Sequence, residues 1–302
     1  MLRRAPFILT AFVLCVLCLP SQPATAQGLI WGDLPKTGTW VKYEGEYQQV
    51  QIRQDRIDED LDTDYKCLDP DDPDYVRPEH VLCWIRHLYL RSLASKMVMV
   101  DGKPTDCRVL EIKSITGTSI DGQLIAGPGG EKIYKVYVLP STKFGKQVDA
   151  DGVPVSYIPI VKGYRKIGQR EVKRLTTGVL QVYPTLTLLS HYKSIEADGD
   201  TPEDLQIKLG QVSAKKHIGV NMMENTTSRS NSTATIWQSK EVPFGLAKWR
   251  VEVIREAKDA GQPRTAFSPA TKVTVSMTAV ETGTDATSEI DESSVPEPGN
   301  SE

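Results

Sequence analysis

Asp58, Asp60, Asp62 and Asp64 stand at alternate positions in the run Asp58-Glu59-Asp60-Leu61-Asp62-Thr63-Asp64, and oxygen ligands so spaced are what a calcium loop supplies. Two parts of such a loop are missing, the glycine at the sharp turn and the bidentate glutamate at the end. Calcium is the one cofactor the sequence offers, and it rests on an incomplete pattern. The same acidity is the ordinary composition of a solvated surface, and the second cluster, Asp69-Pro70-Asp71-Asp72-Pro73-Asp74, has the same status. The histidines, His80, His87, His191 and His217, are too scattered for a His-Glu-x-x-His metal site. On a strand His80 and His87, seven apart, would fall on opposite faces. No Gly-x-Ser-x-Gly elbow and no phosphate-binding loop occurs, and no Cys-x-x-Cys pair lies beyond residue 26. A hydrolase would need His80 or His87 to meet the loop carboxylates in space.

Three cysteines follow residue 26, Cys67, Cys83 and Cys107. In an oxidising compartment two pair and one is left over. Cys67 and Cys83 flank the proline-rich loop, and closing it is worth about 3 kcal/mol in the chain-entropy picture. The expected bridge is Cys67–Cys83, with Cys107 free in its strand.

That compartment is indicated by the N-terminus. Arg3 and Arg4 precede an apolar run from Phe7 to Leu19, Pro20 breaks it, and Ala24-Thr25-Ala26 offers a small-x-small cleavage site before Gln27. The run is shorter than the roughly 20 residues of a bilayer-spanning helix, so a secretory signal peptide over 1–26 is expected rather than an anchor. Leu14 and Leu17 precede Cys15 and Cys18, where a lipoprotein signal needs a small residue. The expected product is a soluble secreted or periplasmic chain of 276 residues without a transmembrane segment. Losing Arg3 and Arg4 leaves 34 basic residues against 39 acidic, a formal charge of −5. Such a balance argues against nucleic acid as a partner.

The elements that must position these groups read as strands. Trp40–Tyr47, Val109–Ile112, Ile133–Leu139, Trp249–Ile254 and Lys272–Met277 alternate with period two and are rich in β-branched and aromatic residues. In Leu82, Trp84, Leu88 and Leu90 one face is apolar, interrupted by Arg86. Residues 79–93 also fit a helical period, but alternation continuing to the Asp101-Gly102 turn favours strand. Turns at Asp121-Gly122, Gly127-Pro128-Gly129-Gly130, Asp151-Gly152 and Asp198-Gly199 separate further strands. The expected fold is mainly β: a large antiparallel sheet, half-barrel or sandwich, with one or two short helices. One β-rich domain, 27–280, carries the acidic loop 55–79.

A helix is expected from Thr201, which can cap, through Pro202, Glu203 and Asp204. Leu205, Leu209 and Val212 line its face, and Lys215 and Lys216 precede a stop at Gly219. Residues 281–302 hold seven acidic residues and no Lys or Arg, and are expected to form a disordered tail. The stretch Lys162–Arg174 is basic around Tyr164; such interleaving can bind an anionic polymer or headgroups, but a charged hairpin is the preferred reading. Asn225-Thr226-Thr227 and Asn231-Ser232-Thr233 match glycosylation acceptors, relevant only in a glycosylating host.

Val242-Pro243-Phe244-Gly245-Leu246-Ala247-Lys248-Trp249 is a proline–aromatic–glycine corner feeding a strand. It resembles the LolA/LppX-like group of envelope carriers, in many of which a Pro-x-Gly corner introduces a late strand. Leu34–Val41 and Cys107–Lys113 are similar to secreted planctomycete-type β-rich proteins. The carrier resemblance implies a β-sheet cradle for a lipid or acyl chain. From the residues themselves, long amphipathic strands with one helix leave a sheet face short of cover unless the sheet closes or binds something apolar. The leading expectation is a non-catalytic exported envelope protein whose cradle, lined by Trp40, Trp84, Trp249 and Phe244, takes an apolar ligand or lipid. The alternatives are a secreted hydrolase or metal-dependent enzyme and a calcium-assisted adhesion module. Oligomeric state is not legible.

Overall fold

The computed structural model describes residues 29–295 except 32, 69–71, 73, 121–122, 143–146, 149–153, 156–157, 181–186, 190–191, 193 and 200. The expected signal peptide over 1–26, the expected cleavage site at Ala26-Gln27 and His191 lie outside the described residues.

The period-two segments form strands. In order they are β1 (Trp40–Gln51), β2 (Val81–Val100), β3 (Lys103–Ile120), β4 (Gln123–Val138), β5 (Gln147–Val148), β6 (Pro154–Val155), β7 (Ile158–Pro159) and β8 (Lys162–Ile167). There follow β9 (Lys173–Arg174), β10 (Val179–Leu180), β11 (Ser194–Ala197), β12 (Glu203–Ile207), β13 (Gly210–Glu224), β14 (Ser228–Gln238), β15 (Leu246–Ala257) and β16 (Ser268–Gly283). Strands dominate the described residues, against the single six-residue α-helix α1 (Ile57–Asp62) among them. The fold is mainly β, built on one large antiparallel sheet that does not close into a barrel. Its order is β11-β13-β14-β15-β16-β1-β2-β3-β4-β8-β9, with β12 added on β13. β1 lies between β16 and β2, so the two ends of the described chain meet at mid-sheet. Among the described residues no helix is long and apolar enough to cross a membrane.

Antiparallel partners share a face, which divides the strands cleanly. Tyr43 pairs with Leu88 and Ala279, and Trp249 with Met277 and Met277 with Gly45. These residues form the inner face, the principal core with Val41, Leu90, Leu110, Ile112 and Val136. Its cover is irregular chain. Leu29–Trp31 is buried there, with Trp31 N–H donating to Phe244 O at 2.7 Å. Trp249 Nε1 donates to Thr187 O at 3.3 Å, and Tyr192 lies on Gly219, where an added Cβ would come within 2.8 Å of its ring.

Three expectations are corrected. Residues 201–216 form no helix. Glu203–Ile207 and Gly210–Ala214 pair as a hairpin, turned by Gly210 at φ +113°, which ends the helical register after two turns' worth of matching apolar spacing. The loop 55–79 is not wholly irregular, since α1 occupies part of it. Residues 281–295 are not a disordered tail: 281–283 complete β16, and 284–295 cross the outer face of β2, β3 and β4. Composition missed this because basic partners on the strands, outside the segment, supply what the segment lacks. Residues 296–302 lie outside the described residues. The basic stretch 162–174 forms the β8–β9 hairpin.

Candidate functional site

β2 and β3 part below Ile85. Their pairing stops at Ile85 opposite Gly117, although β2 begins at Val81 and β3 runs on to Ile120. A cleft of about 200 Å³ opens in this fork. Leu68, Trp84, Ile85 and the Cys67–Cys83 bridge supply apolar wall, and exposed Arg77 adds a guanidinium. Gly117, the last β3 residue paired with β2, packs closely on β4. A Cβ there would sit 1.8 Å from Ile125 O, so only glycine allows this approach to β4.

The wall opposite the strands belongs to the acidic loop, and its residues explain why it stays in place. Ile57, Leu61 and Tyr65 pack on a small core of Val50, Ile52, Val81, Cys67 and Cys83. The bridge joins Cα atoms 5.3 Å apart, and Cys107 is buried and free. Asp60, without solvent exposure, receives Arg53 Nη2 at 2.6 Å, Arg53 N–H at 2.8 Å and Tyr65 Oη at 3.0 Å. The Arg53 hydrogen bonds outweigh desolvation and hold its carboxyl well below the usual range. Gln48 Nε2 also donates to Tyr65 O.

Across Tyr65–Leu68 lies a second, polar cleft of about 500 Å³, lined by Glu44, Glu46, Gln48, Asp64, Arg250 and the threonine face of β16. Burial raises Glu46, and the Asp64 charge adds to it. Glu44 is the opposite case. Burial alone would raise it, but hydrogen bonds from Lys208 and Lys42 bring it down to about 2.

The alternating carboxylates do not converge. α1 turns Asp60 inward onto Arg53, Asp64 pairs with Arg250 at 3.2 Å, and Asp58 and Asp62 stand one helical turn apart. Among the described residues no three His, Cys, Asp or Glu side chains gather where an ion could be held. Two histidines do meet carboxylates. His80 Nε2 lies 3.4 Å from Asp60 and 3.2 Å from Tyr65 Oη, and His87 Nε2 lies 3.5 Å from Glu44. Burial and the nearby Lys42 charge lower His87. Neither His80 nor Asp60 lines either cleft.

The four aromatic residues expected around one cavity are likewise separated. Trp84 lines the fork. Trp40 sits on the outer face, its Nε1 donating to Asp285 Oδ1 at 2.8 Å. Trp249 is buried edge-on to Tyr43 at 5.0 Å between centroids. Phe244 is buried at φ +65° in the corner, beside Gly245 at φ +85°, whose missing Cβ would lie 2.0 Å from Trp31 O. The corner therefore packs closely on the N-terminal segment. Cysteine spacing pointed to the fork's bridge. Arg77 and the break in pairing carried no sequence signal, because a ladder's end depends on both partners. No protein-family model matches the chain, and no curated protein matches it.

Proposed function

We propose that the chain is an exported, non-catalytic envelope protein that binds the apolar end of an amphipathic carboxylate in the β2–β3 fork. The observation that carries this reading is the fork itself, an apolar cleft walled by Trp84, Ile85 and Leu68 with one guanidinium, Arg77, among its lining. The bridge beside it favours an oxidising compartment. At about 200 Å³ the cleft is below the roughly 300–1,000 Å³ of drug-sized pockets. It suits a short acyl segment, not a whole lipid within a broad cradle. Arg77 gives the carboxylate a charge-assisted partner. Decanoate titrated into the protein should shift Trp84 fluorescence saturably, and decanol should bind more weakly. Trp84→Ala should abolish the spectral response, and calorimetry of the same variant should show at least tenfold weaker binding. Absence of saturable decanoate binding to the wild type would remove the proposal.

The contact of His80 with Asp60 and Tyr65 favours a second reading, a secreted hydrolase. Under it, wild-type protein turns over an activated ester and His80→Ala does not. Equal rates for the two, or none, dismiss it.

A further inference from the structure

Residues 284–295 cross strands β2, β3 and β4 without becoming a strand of the sheet. One backbone bond fixes the entry, Ala286 N–H to Gly38 O at 2.8 Å. Beyond it the segment is held by side chains of the face beneath. Ile290, 3% exposed, enters an apolar set of Leu93, Cys107, Val109, Ile133, Tyr137 and Tyr164. Basic residues flank it on both sides. Glu289 receives Lys113 Nζ at 2.6 Å and also Arg91, while Glu292 receives Lys96 and Tyr137 Oη, with Lys135 Nζ at 3.4 Å.

Glu111 reads the segment's backbone. This carboxylate, with no solvent exposure, accepts Glu289 N–H at 3.1 Å, Ser288 Oγ at 2.7 Å and Arg91 Nη1 at 2.7 Å. Lys135, also buried, donates to Ile290 O at 3.3 Å. An acidic residue and a basic one on neighbouring strands thus address one N–H and one carbonyl of the same short stretch. Peptide-recognition sites are organised this way, with backbone contacts for register, a pocket for one side chain and charges for selectivity. A segment with one deeply buried aliphatic anchor and several ion pairs is also poorly equipped to hold itself down irreversibly, since partly exposed pairs contribute little and weaken with salt.

We propose that the outer face of β2, β3 and β4 is a recognition groove for an acidic peptide with a central aliphatic residue, of the kind Ser-Glu-Ile-Asp-Glu. The chain's own residues 285–295 fill it reversibly as a cis ligand. The tether supplies a high effective concentration, so a free peptide competes only when the resident segment is weakened. The buried thiol of Cys107 belongs to the same apolar set as Ile290, so its reactivity reports whether the groove is covered.

The test uses the full chain and a fluorescein-labelled peptide of residues 285–295. In the double variant Glu289→Lys, Glu292→Lys the resident segment meets like charge and leaves. Cys107 should then react with a thiol reagent at least tenfold faster than in wild type. The labelled peptide should bind the variant saturably and at least tenfold more tightly than it binds wild type. A peptide carrying Ile290→Asp should bind neither protein. A variant with a reactive Cys107 and no peptide binding overturns the groove. An unreactive Cys107 overturns the claim that these charges hold the segment. Should the variant misfold, wild type alone decides. Raising salt from 20 mM to 1 M should speed hydrogen exchange at 286–295 at least tenfold while 108–116 and 133–137 stay protected, and unchanged exchange at 286–295 refutes reversibility.

Discussion

Asp60 has no contact with solvent yet carries its charge, because Arg53 offers both its guanidinium and its backbone N–H. Removing one partner of such a pair leaves the other charge uncompensated, so Asp60→Ala should cost about 3 kcal/mol in urea denaturation, with the acidic loop loosening first. Glu44 works at the other edge of the polar cleft, tying β1 to Lys208 in the β12–β13 turn at 2.8 Å. Its folded value of about 2 lies below the unfolded carboxylate range. Its stabilising contribution is therefore complete above about pH 4.5 and disappears as pH falls through the folded value. Glu44→Gln should flatten the dependence of stability on pH between about 4.5 and 2 without altering its course above pH 6. Unfolding series at pH 6, 4 and 2 measure both slopes. None of these pairings was visible in the sequence. The alternation at Asp58–Asp64 suggested a shared cation, whereas the charge that Asp60 meets belongs to Arg53, just ahead of the helix.

Among the elements, two of the glycines that take positive φ, Gly245 and Gly210, had opposite legibility. The Pro243-Phe244-Gly245 corner was plain in the sequence as a turn, because proline and glycine impose their dihedrals locally. Gly210 falls inside the expected helix, yet it is the turn of a hairpin. Leu205, Leu209 and Val212 match a helical stripe by chance, and pairing along β13 outweighs local preference. Gly245→Ala should destabilise the protein by more than about 2 kcal/mol, combining backbone strain with the collision against Trp31 O. Limited proteolysis should then cut near Leu29–Trp31 before the strands. The loop behind the fork depends on its bridge in a similar way. Cys67→Ser with Cys83→Ser should cost about 3 kcal/mol by chain entropy. The same variant should weaken decanoate binding, since one wall of the fork is the bridge itself.

For the whole molecule, the class of fold was legible because period-two alternation states which residues share a face, and eight of the strands are long enough to state it repeatedly. The location of the candidate site was not, because it arises where two ladders diverge and where a distant segment lands, and neither is a property of a local window. The sheet order has its own consequence. β1 must wait for β16, its neighbour from the far end of the chain, before both its edges are paired. Contacts of such separation make for slow folding. A chain emerging N-terminus first would hold β1–β2–β3–β4 as a growing half-sheet with one raw edge until its last long strand arrives. Closure of this seam thus tests for the presence of β16: a chain cut short anywhere before Ser268 keeps an adhesive border on β1, marking it for aggregation or degradation.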